Sequence, residues 1–175
     1  MKAIGGLLAL CLSCTPVIRP AVHAQHAPLD VHADVAFTAA ERSLLSEATQ
    51  EIAAQTGIEI RIQFDLDFGR PLSLKAKPQL VRLTSDVERL AWLDRRFGGR
   101  VLGLTLWTER RAELVADRLS DGRRFAHVAQ HELLHLLGVD DADGGALMGS
   151  SMARDPSSTM NESDWAAFAA AGGAR

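Results

Sequence analysis

His131-Glu132-Leu133-Leu134-His135-Leu136-Leu137-Gly138-Val139-Asp140-Asp141 places the most reactive side chains of the chain within eleven residues. Residues four apart on a helix lie one above the other, so His131 and His135 can aim both imidazoles at one point. That spacing suits two ligands of one tetrahedral zinc ion. Glu132 stands about 100° further round the helix, too close to the first histidine to be an easy third ligand. It is well placed to reach a water on the metal. Gly138 lets the chain leave the helix sharply, because glycine tolerates the left-handed conformation common just past a helix end. Asp141 then follows three residues later and can swing back as a third ligand. Asp140 competes with it by position alone.

A helix from about Gly122 must carry this group. With His131 at 0°, the 3.6-residue period puts His135 at about 40° and His127 at about −40°. Phe125, Ala126, Ala129, Leu133, Leu136 and Leu137 fall at roughly 120° to 240°, a core face opposite the histidines. His127 shares the histidine face, but three histidines at successive fours are too spread to close one tetrahedron. It is expected on the cleft floor or behind the ligands.

The other elements follow from caps and periodicity. Thr38-Ala39-Ala40-Glu41 is a capping box that opens an amphipathic helix to Thr56, stopped by Gly57. Ile58 to Phe64 alternates apolar and polar as a strand with one buried face. Asp65 and Asp67 end that pattern as a solvated strand end rather than a calcium loop, because no full set of oxygen ligands follows. Leu80 to Leu83 is a short strand. Ser85-Asp86-Val87-Glu88 caps a helix through Leu90, Leu93 and Phe97 to Gly98-Gly99. Val101 to Trp107 is apolar enough for a central strand. Ala112 to Ala116 reads as a more exposed strand at the sheet edge beside the metal helix. Ala112, Leu114 and Ala116 are then the expected substrate-binding positions, because an edge strand can accept an extended peptide as a further strand. Asn161-Glu162-Ser163-Asp164 caps a last helix, Trp165 to Ala170, ended by Gly172-Gly173.

The chain has 175 residues, enough for one domain with its own core. An apolar fraction of 47% and a charged fraction of 23% are those of an ordinary globular protein. A formal net charge of −3 gives no reason to expect a nucleic-acid partner. Residues 1–24 read as an export signal: Met1-Lys2, then a mostly apolar run from Ala3 to Cys14 that is too short to span a membrane. Val22-His23-Ala24 fits ordinary signal removal before Gln25. Leu12-Ser13-Cys14 resembles a bacterial lipobox, with Cys11 where that pattern wants Leu. The expected location is therefore secreted, periplasmic or lipid-anchored at a bacterial envelope, with membrane contact only through Cys14. Both cysteines lie in this segment, so the mature chain is expected to lack disulfides and cysteine-rich zinc sites. Residues 25–36, with Pro28 and scattered His23, His26 and His32 around them, read as a flexible lead-in. Residues 37–175 form the single expected domain.

The pattern His131-Glu132-x-x-His135-x-x-Gly138-x-x-Asp141, followed by Ala146-Leu147-Met148-Gly149 and by Ser163-Asp164-Trp165 opening a C-terminal helix, resembles the metzincin zinc endopeptidases. Most metzincins have His where this chain has Asp141; snapalysin-type proteases have Asp there. The Leu-Met segment and last helix are closer to the matrixin pattern. The match spans about His131 to Phe168. The resemblance implies an α+β fold with a mixed twisted sheet, an edge strand beside the cleft, an active-site helix and a C-terminal helix. It implies one catalytic zinc on His131, His135 and Asp141, Glu132 as general base, and Met148 as the hydrophobic Met-turn residue, with Met152 its competitor. A peptide or protein would be the substrate. The sequence has no Tyr, so the tyrosine that some metzincins place near the metal is missing. Zinc and edge-strand backbone groups would have to steady the oxyanion. An Asp ligand leaves the site less positive than a third His, so a weaker Lewis acid is expected. Two other readings stay open. A thermolysin-like protease would use Glu162 of Asn161-Glu162 as third ligand. A non-catalytic exported lipoprotein would hold zinc only for structure.

Overall fold

A computed structural model of the chain describes residues 28–67, 77–83, 87–97, 100–149 and 159–172. Among these, five strands and four α-helices form an α+β fold around one mixed sheet. The elements are β1 (Leu29–Asp34), α1 (Ala39–Thr56), β2 (Ile60–Leu66), β3 (Gln79–Leu83), α2 (Val87–Phe97), β4 (Gly103–Leu106), β5 (Arg111–Val115), α3 (Gly122–Leu136) and α4 (Glu162–Ala170). The strand order is β2-β1-β3-β5-β4, parallel throughout except for β4, which runs antiparallel to β5. Among the described residues no helix is long and apolar enough to cross a membrane.

Local signals explain the helices. Thr38 caps α1 through Glu41 N–H while the Glu41 carboxylate accepts from Thr38 N–H, and the helix ends at Gly57. Asp121 caps α3 by accepting from the N–H groups of Arg123 and Arg124. Asn161 and Asp164 form a reciprocal box at the start of α4. The cap expected at Ser85-Asp86, the stop at Gly98-Gly99, residues 1–27 with both cysteines, and Met152 lie outside the described residues.

The main core joins one face of the sheet to α1 and α3. Val31 and Ala33 of β1, Leu80 of β3 and Ala112 and Leu114 of β5 meet Leu45, Ala48 and Ile52 of α1 and Phe125, Ala129 and Leu133 of α3. The core face expected for α3 is thus the buried one, although Ala126 is only half-buried. A smaller cluster of Leu90, Leu93 and Val115 packs α2 on the other face.

Two expectations are overturned. The stretch read as a flexible lead-in contains β1, which pairs with β2 and β3 in the interior of the sheet. Its polar residues hid it. His32 and Asp34 are buried, but each is satisfied: His32 Nδ1 lies 2.9 Å from the Asp65 carboxylate, and Asp34 accepts from Ala36 N–H at 2.8 Å. Asp65 accordingly belongs to β2 and serves a buried histidine.

The second correction concerns the edge. β4, read as central, is the edge strand, and β5, read as the edge, is interior. Ala112 and Leu114 are fully buried and Ala116 is 7% exposed, so none of the three can meet a peptide. Glu113 gives β5 its polar look, but it too is buried and paired with Arg111 at 3.0 Å.

Candidate metal centre

α3 delivers His131, Glu132 and His135 to a cleft of about 820 Å³ between that helix, β4 and the segment around Asp140–Gly149. The helix ends at Leu136 with Leu137 as its cap, and Gly138 takes φ 92°, which turns the chain back. Val139 N–H returns to Leu134 O at 3.1 Å, and Val139 O then faces His135 Nδ1 at 2.7 Å. His131 Nδ1 meets Leu147 O at 2.9 Å. A carbonyl oxygen can only accept, so each Nδ1 carries the proton and each neutral ring presents a bare Nε2.

These two Nε2 atoms lie 3.0 Å apart. Asp141 Oδ1 stands 3.4 Å from the first and 3.6 Å from the second. Three electron-rich atoms so close repel one another unless a cation sits among them. Ligands ~2.0–2.1 Å from a tetrahedral ion lie roughly 3.3 Å from each other, so the triangle fits zinc. Histidines that bind metal commonly donate their other N–H to a carbonyl, as both do here. Among the described residues, His131, His135 and Asp141 are the His/Cys/Asp/Glu group that can hold a metal ion.

Burial and the neighbouring His135 hold the His131 imidazole below its ordinary value. Burial also works against a charged His135, but Asp141, Glu132 and the Val139 carbonyl outweigh it and hold that ring above its ordinary value. The neighbouring His135 holds Asp141 below the usual carboxylate range.

Glu132 is buried, and that burial pushes its carboxyl up to about 7 even though His135 and the Thr105 hydroxyl pull it down. The Thr105 hydroxyl of β4 donates to Glu132 Oε2 at 2.7 Å. Across the cleft the Trp107 ring sits edge-on to His135, centroids 5.3 Å apart.

The turn that follows Asp141 is fixed by one buried carboxylate. Asp164 of α4 is fully buried and accepts from Ala146, Leu147 and Asn161 N–H at Oδ2 and from Met148 N–H at Oδ1, all between 2.8 and 3.0 Å. Met148 is itself fully buried in the main core, and its carbonyl accepts from Ala142 N–H at 2.7 Å. The turn therefore supplies both an apolar filler and the carbonyl that orients His131.

Of the residues singled out in the sequence, His131, Glu132, His135 and Asp141 come together at the cleft. His127 is buried on its lining, outside the three-ligand group. Asp140 lines the cleft beside Asp141 without joining that group. Glu162 is exposed and lines a separate groove with Trp165, so it is not brought to the histidines. Thr105, Gly103 and Asp164's second role were not foreseen. Asp164 was visible as a helix cap, but its reach back to residues 146–148 had no local signal.

Comparison with known protein families finds no family profile that matches the chain, and comparison with curated proteins finds no matching relative.

Proposed function

We propose that the chain is a zinc-dependent endopeptidase of the metzincin type, exported by its N-terminal segment. The observation that carries this reading is the triangle of His131 Nε2, His135 Nε2 and Asp141 Oδ1, with both Nδ1 protons committed to carbonyls and one side open to the cleft. Catalytic zinc sites use three protein ligands and leave a position free, whereas structural ones are closed by four. Bound there, zinc would supply Lewis acidity toward a peptide carbonyl and toward water.

The chain's own residues account for the rest. Glu132, adjacent to the ligands and poised near neutrality, takes a proton from the attacking water and delivers it to the leaving amine. β4 offers the rail for the peptide. Val115 N–H donates to Leu102 O at 2.9 Å, which makes that a hydrogen-bonded pair of the antiparallel ladder. Pairing alternates along such a ladder, so the backbone groups of Gly103 and Thr105 point away from β5, toward the open edge. An extended peptide added there lies along the cleft above the ligands. Met148 acts as core beneath the turn rather than as a ligand.

The test is zinc content of the purified protein. Wild type is expected to hold one zinc, Asp141→Ala to lose it, and Glu162→Ala to keep it. Loss of zinc in Glu162→Ala with retention in Asp141→Ala would turn the reading to a thermolysin-like centre. A zinc-loaded protein that cleaves no unfolded substrate would leave a structural zinc in a non-catalytic protein.

A further inference from the structure

We propose that Thr105 and Gly103, alternate residues of the edge strand, form the seat that orients the Glu132 carboxylate, with Thr105 the positioning residue for the base. The inference rests on the peptidase reading for its meaning, but the seat itself is a matter of geometry. Glu132 extends from α3 into the cleft wall made by β4. Its Oε2 accepts from the Thr105 hydroxyl at 2.7 Å. The same hydroxyl lies 3.4 Å from the Glu132 carbonyl oxygen, but it has one proton, and the nearer, charge-bearing acceptor takes it. Thr105 is 9% exposed and β-branched, so its side chain has little freedom to swing away.

Gly103 provides the room. A methyl group on Gly103 would stand 2.8 Å from Glu132 Cγ and 2.8 Å from Val128 Cγ1, and closer still to Glu132 Oε1. Glu132 can lie in this position only because position 103 has no side chain. Residues 103 and 105 share the strand face that looks toward α3, while their backbone groups look toward the open edge. The atoms that would pair with a peptide and the atoms that hold the base therefore belong to the same two residues. A peptide laid on the strand fixes the strand, and the strand fixes the carboxylate. The helix that bears Glu132 does not aim it alone.

The experiment compares zinc-loaded wild type with Thr105→Val, Thr105→Ser and Gly103→Ala, using fluorogenic casein as the unfolded substrate. Thr105→Val keeps the shape and removes the hydrogen bond. It is expected to keep its zinc and KM and to lower kcat on the order of 10²-fold, the scale of a misaligned reacting group. Thr105→Ser restores the donor and is expected to restore kcat. Gly103→Ala is expected to resemble Thr105→Val. A second readout needs no activity: melting of the metal-free protein in a cycle of Thr105→Val and Glu132→Leu at pH 8. The two changes in Tm are expected to be non-additive, since the hydroxyl's hydrogen bond exists only while position 132 offers an acceptor. Active wild type with unimpaired Thr105→Val, or a serine variant as slow as the valine one, or additive melting shifts, would overturn the seat. Wild type that cleaves nothing would overturn the peptidase reading, and the melting cycle would still decide the seat.

Discussion

His131 and His135 are steadied by carbonyls of the segment that follows their own helix, whereas Glu132, between them on the same helix, is steadied from across the cleft by β4. The metal wall is a layered construction. Asp164 holds the turn 146–148, the turn holds His131, and Gly138 directs Val139 O to His135. The strand wall is simpler, consisting of one hydroxyl and one missing side chain. The difference separates two jobs. On the proposed reading, metal affinity would belong to the loop side, where both imidazoles are met by backbone carbonyls and one buried carboxylate holds the turn behind them. Turnover would belong to the strand side, where the proposed peptide would also lie.

The strongest way to break this division is Asp164→Asn. The amide keeps the shape but can accept on only one side, so it turns an NH2 toward N–H groups that need an acceptor. Leaving such buried donors unpaired costs about 1–3 kcal/mol each. The variant is expected to melt well below wild type and to bind zinc roughly 10–100-fold more weakly, as changes behind metal ligands do. A zinc titration followed through a competing chelator checks this. Unchanged affinity would detach α4 from the metal wall.

A pH series on the metal-free protein sharpens the other side. The Glu132 carboxyl has an ordinary value of 4.5 and is pushed up to about 7 by burial. Between those values the folded chain binds more protons than the unfolded one, so stability falls as pH rises through the window. Above it the full cost of a buried charge is present, on the order of 3 kcal/mol. Glu132→Gln removes that charge. Its Tm is expected to exceed that of metal-free wild type at pH 8 and to match it near pH 4. Equal melting at both pH values would mean that the carboxylate is better solvated than its seat allows.

Outside both walls, Arg82 of β3 holds Glu41 of α1 with a two-pronged ion pair, Nε to Oε2 at 2.9 Å and Nη2 to Oε1 at 3.0 Å. Burial works against the charged Glu41, but Arg82 and Thr38 outweigh it and hold the carboxyl below its ordinary value. Its contribution is therefore present above the unfolded value and lost as pH falls. Glu41→Gln is expected to cost about 1 kcal/mol at neutral pH, less in acid, with zinc content and turnover unchanged. Urea unfolding at two pH values measures it. A drop in zinc affinity would show that the α1–β3 tie also reaches the cleft.

The helices were legible because their signals are local. Thr38 with Glu41, Asn161 with Asp164, and the apolar stripe from Phe125 to Leu137 each specify an element within one or two turns of sequence. The grouping of His131, His135 and Asp141 was legible for the same reason: four residues of helix and one glycine turn bring them together. Sheet order was not. Leu102, Leu104 and Leu106 look like a central strand, but they line the cleft at its open edge. Glu113 makes β5 look exposed, but its charge is met by Arg111 inside the sheet. Hydrophobic content reports burial by any neighbour, whether core or cleft, and β1 disappeared because its polar residues found partners far along the chain, as His32 does with Asp65. Thr105 and Gly103 were silent for that reason too. Nothing within β4 says that a glutamate 27 residues further on will rest there.

The central claim is that Glu132 performs the chemistry at a metal held by its neighbours. It is tested most directly by cleavage of an unfolded protein by zinc-loaded wild type and Glu132→Gln at equal zinc content. The account predicts that wild type cleaves, that a chelator stops it, and that the variant holds its zinc but is slower by at least about 10²-fold, as loss of a general base demands. Equal cleavage by the two proteins, or cleavage that survives the chelator, would contradict it.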